Sequence, residues 1–290
     1  MALPTIVIIF MFYYMPMFGV LVAFKDYNYS DGIFGSAWVG FDNFKILFVN
    51  PEITWRLVRN TMGYWFAFTI LGTLFNVALA IALHECTKKS FAKISHTIMI
   101  FPTFISWIAV TFIVKALLDR DTSMVNEIMR FLSMTPVRWY SDASKWPAIL
   151  TIVQLWKNTG YGAIIYLAAL TGMDCELFEA AMLDGANKRQ QIFYITIPLL
   201  VPMISIMTLM SLGGIMTSNT GLFYQVTKNI GVLYPTTQTI DAYIINALTD
   251  GFANFGMTAA ITFFQSAIGC LMVIITNIII RRWEPENALF

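Results

Sequence analysis

Residues 179–198 read EAAMLDGANKRQQIFYITIP, a short polar stretch set between two long apolar runs. Asp174 just upstream is a good helix N-cap, and Glu176 and Glu179 follow in the first turns, where the helix dipole favours anions. Leu177, Phe178, Ala181 and Met182 recur at helical spacing and form one apolar face. Gly185 supplies a residue that adopts positive φ and ends the helix. Asn187 can cap a second helix carrying Lys188 and Arg189, and Pro198 fits the first turn of the next apolar segment, where a missing N–H costs little. The expected result is helix, glycine turn, helix at a membrane surface. Ala180 and Ala181 are small enough for another protein to come close. The plainer alternative is an amphipathic loop lying on the bilayer.

Composition sets the surroundings of this stretch. The chain has 290 residues, 58% of them hydrophobic and 12% charged, whereas soluble domains carry about 25% charged residues. A membrane protein is implied. The net charge of +1 comes without a basic run, so nucleic acid is not an expected partner. Three scattered cysteines, Cys86, Cys175 and Cys270, have neither CxxC nor metal-ligand spacing. With His84 and His96 the only histidines, a His-rich metal site or histidine-dependent hydrolase is disfavoured, and no GxxxxGK[ST] phosphate loop occurs.

Six apolar segments are long enough to span a hydrocarbon core: about 3–24, 60–83, 94–118, 147–170, 197–217 and 256–280. The first lacks a basic n-region and a small-x-small cleavage site, so it reads as a retained span; the usual basic arm before it is missing, so the chain is expected to begin late. Gly63, Gly72, Ala78, Ala80 and Ala82 are expected to allow close packing of the second span. Pro102 is expected to kink the third. A short amphipathic helix is expected around Met124, Val125, Ile128, Met129 and Leu132, and turns at Asn219, Gly221, Pro235 and Gly251. Six spans put both termini on one side, together with Lys88, Lys89 and Lys93, Lys188 and Arg189, and Arg281 and Arg282, and the positive-inside rule makes that side cytoplasmic.

The spacing Glu179-Ala180-Ala181, three residues, Gly185, nine residues, Ile195-x-Ile197-Pro198 resembles the EAA loop of binding-protein-dependent ABC importer permeases, with Ile197 where leucine is usual. Shorter likenesses to carbohydrate-uptake permeases of that family lie at residues 38–44 (WVGFDNF), Trp156-Lys157, residues 166–170 (YLAAL), Asp241-Ala242-Tyr243 and Gln265-Ser266. The resemblance implies an all-α membrane protein, a single permease domain over 1–290 with the six-helix type I ABC importer fold and a coupling-helix loop at 174–196. It also implies a multi-pass subunit of a bacterial inner membrane, paired with a second homologous permease. A cytoplasmic ATPase dimer would hold the ATP and Mg, and an external solute-binding protein would deliver a carbohydrate, an oligosaccharide or polysaccharide fragment such as alginate. On this resemblance Glu179, Ala180, Ala181, Gly185 and Pro198 are the ATPase-coupling residues, and the chain holds no cofactor, no metal and no catalytic residue of its own.

Within the spans, Lys157 with Gln154 and Asn158 can line the translocation path, or Lys157 can pair internally or snorkel to the surface; the sequence does not choose between these. Asn76 and Gln265 are further path candidates, although interhelical hydrogen bonds are the commoner use of such residues. Trp156, Trp65, Trp107 and Tyr161 can stack on sugar rings or simply pack. The competing reading is an ATP-independent secondary transporter or an intramembrane enzyme. It calls for inverted repeats, paired intramembrane acids or clustered His, Asp and Glu within spans, and the sequence offers none of these.

Overall fold

A computed structural model describes residues 3–119, 123–249 and 254–283. The turn expected at Gly251 lies outside the described residues, as do the side chains of Lys89 and Arg282. The described residues are mainly helical, and the only sheet among them is a two-residue antiparallel pair, Lys25 against Trp38 and Asp26 against Ala37. Among the described residues four helices are long and apolar enough to cross a membrane, six if each of two bent helix pairs counts as one span.

Helix α1, Leu3–Phe24, is apolar along its length and little buried. Its last ring, Phe24, closes against Trp38 (5.7 Å) and Phe263 (5.8 Å). Helix α2, Pro51–His84, has 34 residues, about 51 Å of helix. It starts nine residues before the expected span, with Pro51 at its first turn and Leu57 buried among Ile215, Met216, Ile240 and Ile261. Ile70 and Leu74 on this helix are 63% and 60% exposed, as a lipid-facing stripe requires.

The third expected span is a break rather than a kink. Helix α3, Lys89–Ile100, runs into a 3-10 turn, Phe101–Phe104, and helix α4, Trp107–Leu118, leaves at 100° to it. Pro102 lies inside the 3-10 turn; the direction changes at Ile105 and Ser106, both extended, and the Ser106 hydroxyl accepts from the Ala109 N–H (3.2 Å) to start the new helix. The short amphipathic helix follows as α5, Met124–Phe131, and the fourth span is α6, Trp146–Thr171, within a residue of expectation at each end. Helix α7, Cys175–Leu183, bends away from it by 70°.

The fifth span differs more. Helical structure runs without interruption from Lys188 to Leu212 as α8, so no second short helix separates the coupling stretch from the membrane. Pro198 therefore lies well inside a helix. The turn before it, Ile192–Thr196, is π-helical, with the Ile197 N–H reaching back to Ile192 O. A π turn shifts the i−4 carbonyl that the pyrrolidine ring would otherwise strike, and so absorbs the proline. After a π-helical segment, Gly221–Val226, the chain continues through α9, Ile240–Thr249, to α10, Phe255–Trp283.

Close packing comes from different glycines than expected. Gly63 and Gly72 of α2 face open space, and Ala78 and Ala82 are exposed; only Ala80 is buried. The near approaches belong to α6. A Cβ on Gly160 would stand 1.9 Å from the Met99 carbonyl oxygen, and one on Gly162 would stand 2.3 Å from the Asn76 amide. Gly160→Ala therefore forces the α3 backbone outward, at about 1–3 kcal/mol. The purified protein should melt at a lower temperature, whereas Gly63→Ala, with open space around its Cβ, should keep or slightly raise the melting temperature.

Candidate functional site: a coupling loop and a polar cavity

The loop between α6 and α8 is held by local hydrogen bonds that the sequence itself specifies. Asp174 Oδ1 accepts the Glu176 N–H (2.9 Å), capping α7. At the other end the Ala186 N–H reaches Ala181 O (2.9 Å) and the Gly185 N–H reaches Met182 O (3.1 Å), with Gly185 at φ +83°. This paired closure requires left-handed backbone at Gly185, which a residue with a Cβ adopts only at a cost. Asn187 and Gln190 then form a reciprocal capping box, Gln190 N to Asn187 Oδ1 (3.0 Å) and Asn187 N to Gln190 Oε1 (2.7 Å). The Asn-x-x-Gln spacing was the available signal for that second contact.

What the loop leaves uncovered is as telling. No residue of α7 is buried. Leu177 and Met182, on the face expected to be apolar, are 47% and 53% exposed, and Leu183 is 90% exposed. Glu179 and Ala180 are exposed, Ala181 is half-buried, and Glu179 has no ion pair among the described residues. A concavity of about 330 Å³ opens between α7 and the start of α8, lined by Ala181, Gly185, Gln190 and Tyr194. Lys188 Nζ meets Glu85 (2.9 Å), just beyond α2, so both loops sit at one end of the bundle. Nothing in the local sequence pointed to Glu85.

A second concave region lies further into the bundle, a cavity of about 360 Å³. Trp65 and Phe68 of α2, Gln154 of α6, Ser211 of α8, and Ser218 and Asn219 line it. Gln154 Oε1 is enclosed and accepts no hydrogen bond, a state that a buried carbonyl rarely keeps without a partner. Trp65 Nε1 donates to Ser211 O (2.9 Å), fixing α2 to the end of α8. Behind Ser218, Asp241 accepts from the Ser218 N–H (2.6 Å) and its hydroxyl (3.0 Å). No lysine or arginine lines the cavity.

The other residues singled out from the sequence lie elsewhere. Lys157 is 5% exposed, and its ammonium donates to the carbonyls of Pro102 (3.0 Å), Thr103 (2.9 Å) and Ile105 (2.5 Å). Its three hydrogens are thus taken up within the chain. Asn158 donates to Gln154 O (3.0 Å). Gln265, 4% exposed, donates to Met216 O (2.7 Å), in the turn that follows α8. Asn76 packs against Gly162. Trp156 faces an apolar groove of about 650 Å³ with Phe75 and Met99, away from the cavity, and Tyr161 is 57% exposed. Only Gln154 of the path candidates, and only Trp65 of the aromatics weighed, borders the polar cavity.

Comparison with known proteins shows the family and the fold. Residues 72–285 match the family model described as "Binding-protein-dependent transport system inner membrane component". Protein LplB of Bacillus subtilis (strain 168) is 30% identical over 98% of this chain and 88% of its own length. The polygalacturonan/rhamnogalacturonan transport system permease protein YteP of the same organism is 30% identical over 99% of this chain and 88% of its own. A crystal structure of a bacterial ABC transporter involved in the import of the acidic polysaccharide alginate superposes with a TM-score of 0.86 at 29% identity, covering 97% of this chain and 93% of that one. A second structure, of the bacterial alginate ABC transporter in complex with an alginate pentasaccharide-bound periplasmic protein, gives the same TM-score and identity over 97% and 92%. The fold expected from the EAA spacing is the fold observed, and the chain belongs to the family of binding-protein-dependent transport system inner membrane components.

Proposed function

We propose that this chain is one of two membrane-spanning subunits of an ATP-driven importer that carries a carbohydrate, an oligosaccharide or polysaccharide fragment, into the cell. The names of its relatives support that class of solute. In this reading the coupling-loop end faces the cytoplasm and seats in a separate ATPase dimer, which holds ATP and Mg. A solute-binding protein docks at the opposite face.

The observation that carries the reading is the unbroken helix α8. It begins at the capping box beside α7 and ends beside the polar cavity, 25 residues later, about 37 Å. The apolar face of α7, left uncovered by its own chain, supplies a surface for the ATPase, with Glu179 placed to meet a basic group there. A displacement of α7 moves the foot of α8, and through the Glu85–Lys188 pair it also moves the end of α2. These two helices carry Ser211 and Trp65, joined by a hydrogen bond at the cavity wall. Hydroxyl and amide groups beside the Trp65 and Phe68 rings suit a sugar: the rings pack on its C–H face, and Gln154 Oε1 accepts from a hydroxyl.

Glu179→Lys in the assembled transporter should release the ATPase on purification and abolish uptake, since removing one member of a desolvated interface pair costs about 2–5 kcal/mol. Retained ATPase and normal uptake would sink the docking role. Gly185→Val should weaken ATPase retention as well, by straining the left-handed turn at about 1–2 kcal/mol. Gln154→Leu should leave assembly and ATP hydrolysis intact and lower uptake about fivefold, the worth of one neutral hydrogen bond. Unchanged uptake by that variant would remove the cavity from the solute's path.

A further inference from the structure

Lys157 is a buried cation without a carboxylate. Among the described residues no Asp or Glu lies within ion-pair distance of it. Its charge is met instead by three carbonyls at the end of the 3-10 turn and by the face of Trp107, 5.2 Å from Nζ. Thr103 Oγ1 donates in return to the backbone carbonyl of Lys157 (2.7 Å). Carbonyls released where a helix stops inside a membrane have no water to satisfy them. Here the satisfying donor comes from another helix, so α6 and the 100° break are held as one unit. Gly160, one turn along α6, allows this approach by lacking a Cβ against Met99 O.

The break is also tied to the cavity on both sides. Gln154 sits three residues before Lys157 on α6. On the other side Trp107 leaves no room for a Cβ at Gly221, where one would stand 2.3 Å from the indole Cγ. Gly221 opens the π-helical segment, and Asn219 just before it and Phe223 within it line the cavity. The angle at Ile105–Ser106 therefore sets how far the Gln154 wall stands from the Asn219–Phe223 wall.

We propose that Lys157 is a positioning residue for transport: its ammonium, by capping the carbonyls of Pro102, Thr103 and Ile105, fixes the broken span and with it the width of the solute cavity. The link to transport rests on the reading of the Gln154 cavity as part of the solute's path. A lysine so engaged does not contact the solute, and its removal acts through Trp107 and the π-helical segment.

The test uses the complete transporter, reconstituted in lipid vesicles with its ATPase and solute-binding protein. Lys157→Ala should assemble and hydrolyse ATP while uptake falls about tenfold, the scale of lost charge-assisted hydrogen bonds. Propylammonium, which replaces the missing part of the side chain, should restore most of the uptake, whereas 1-propanol, of the same size without the charge, should not. Wild-type uptake by Lys157→Ala, or equal responses to the two additives, overturns the proposal. Should the variant fail to assemble, the same comparison is made on the yield of complex: recovery with propylammonium alone supports the role, and no recovery overturns it. The Gln154→Leu measurement separates the two ideas. Normal uptake there, with propylammonium rescue of Lys157→Ala, removes the cavity reading and keeps Lys157 as the lock of the break; loss of uptake there without rescue removes Lys157 alone.

Discussion

A backbone carbonyl freed inside a bilayer must find a donor within the protein, and this bundle is arranged around that requirement. Where a helix stops or turns, a side chain from elsewhere in the chain reaches the released carbonyls. Lys157 does so at the break between α3 and α4, and Gln265 of α10 does so at Met216 O, past the end of α8. Trp65 serves the carbonyl of Ser211, and Asn60 that of Gln238 (3.0 Å). At the end of α1, Asn43 donates to both Ala23 O (3.0 Å) and Lys25 O (2.9 Å). Several polar residues of the apolar spans are thus engaged at such interruptions. Gln154 stands out because its carbonyl oxygen faces a cavity and accepts nothing.

The same requirement explains where force can travel. A continuous helix needs no outside donor and moves as a rod. Helix α8 stays helical through a π turn and past Pro198 and Pro202, whose ring nitrogens have no N–H to donate, and so joins the capping box to the neighbourhood of the cavity. The broken span behaves differently. Its angle is held by contacts to a neighbour, and a shift of α6 carries the break with it. In the proposed reading α8 is the lever, and the broken span beside the cavity is held by the ammonium of Lys157.

The loop between α6 and α8 was legible in the sequence because its structure is local. Asp174, Gly185 and Asn187 act on backbone groups within five residues, and their capping roles follow from residue type and spacing. The long helices α2, α6 and α10 were legible for a similar reason, since a sustained apolar run reads as one helix. Even so, the continuity of α8 was missed. A proline following an isoleucine-rich stretch reads as a helix start, and nothing in the residues announces the π turn that lets the helix run through it.

The residue types alone determined that this chain lives in a membrane, that it turns at Gly185, and that it exposes a short acidic and apolar helix beside that turn, because hydropathy and capping act over a few residues at a time. Tertiary structure decided which intramembrane polar groups were free. Whether Lys157 faces a solute or a set of carbonyls depends on helices more than fifty positions apart in the chain, and only their packing brings the donor to the acceptors.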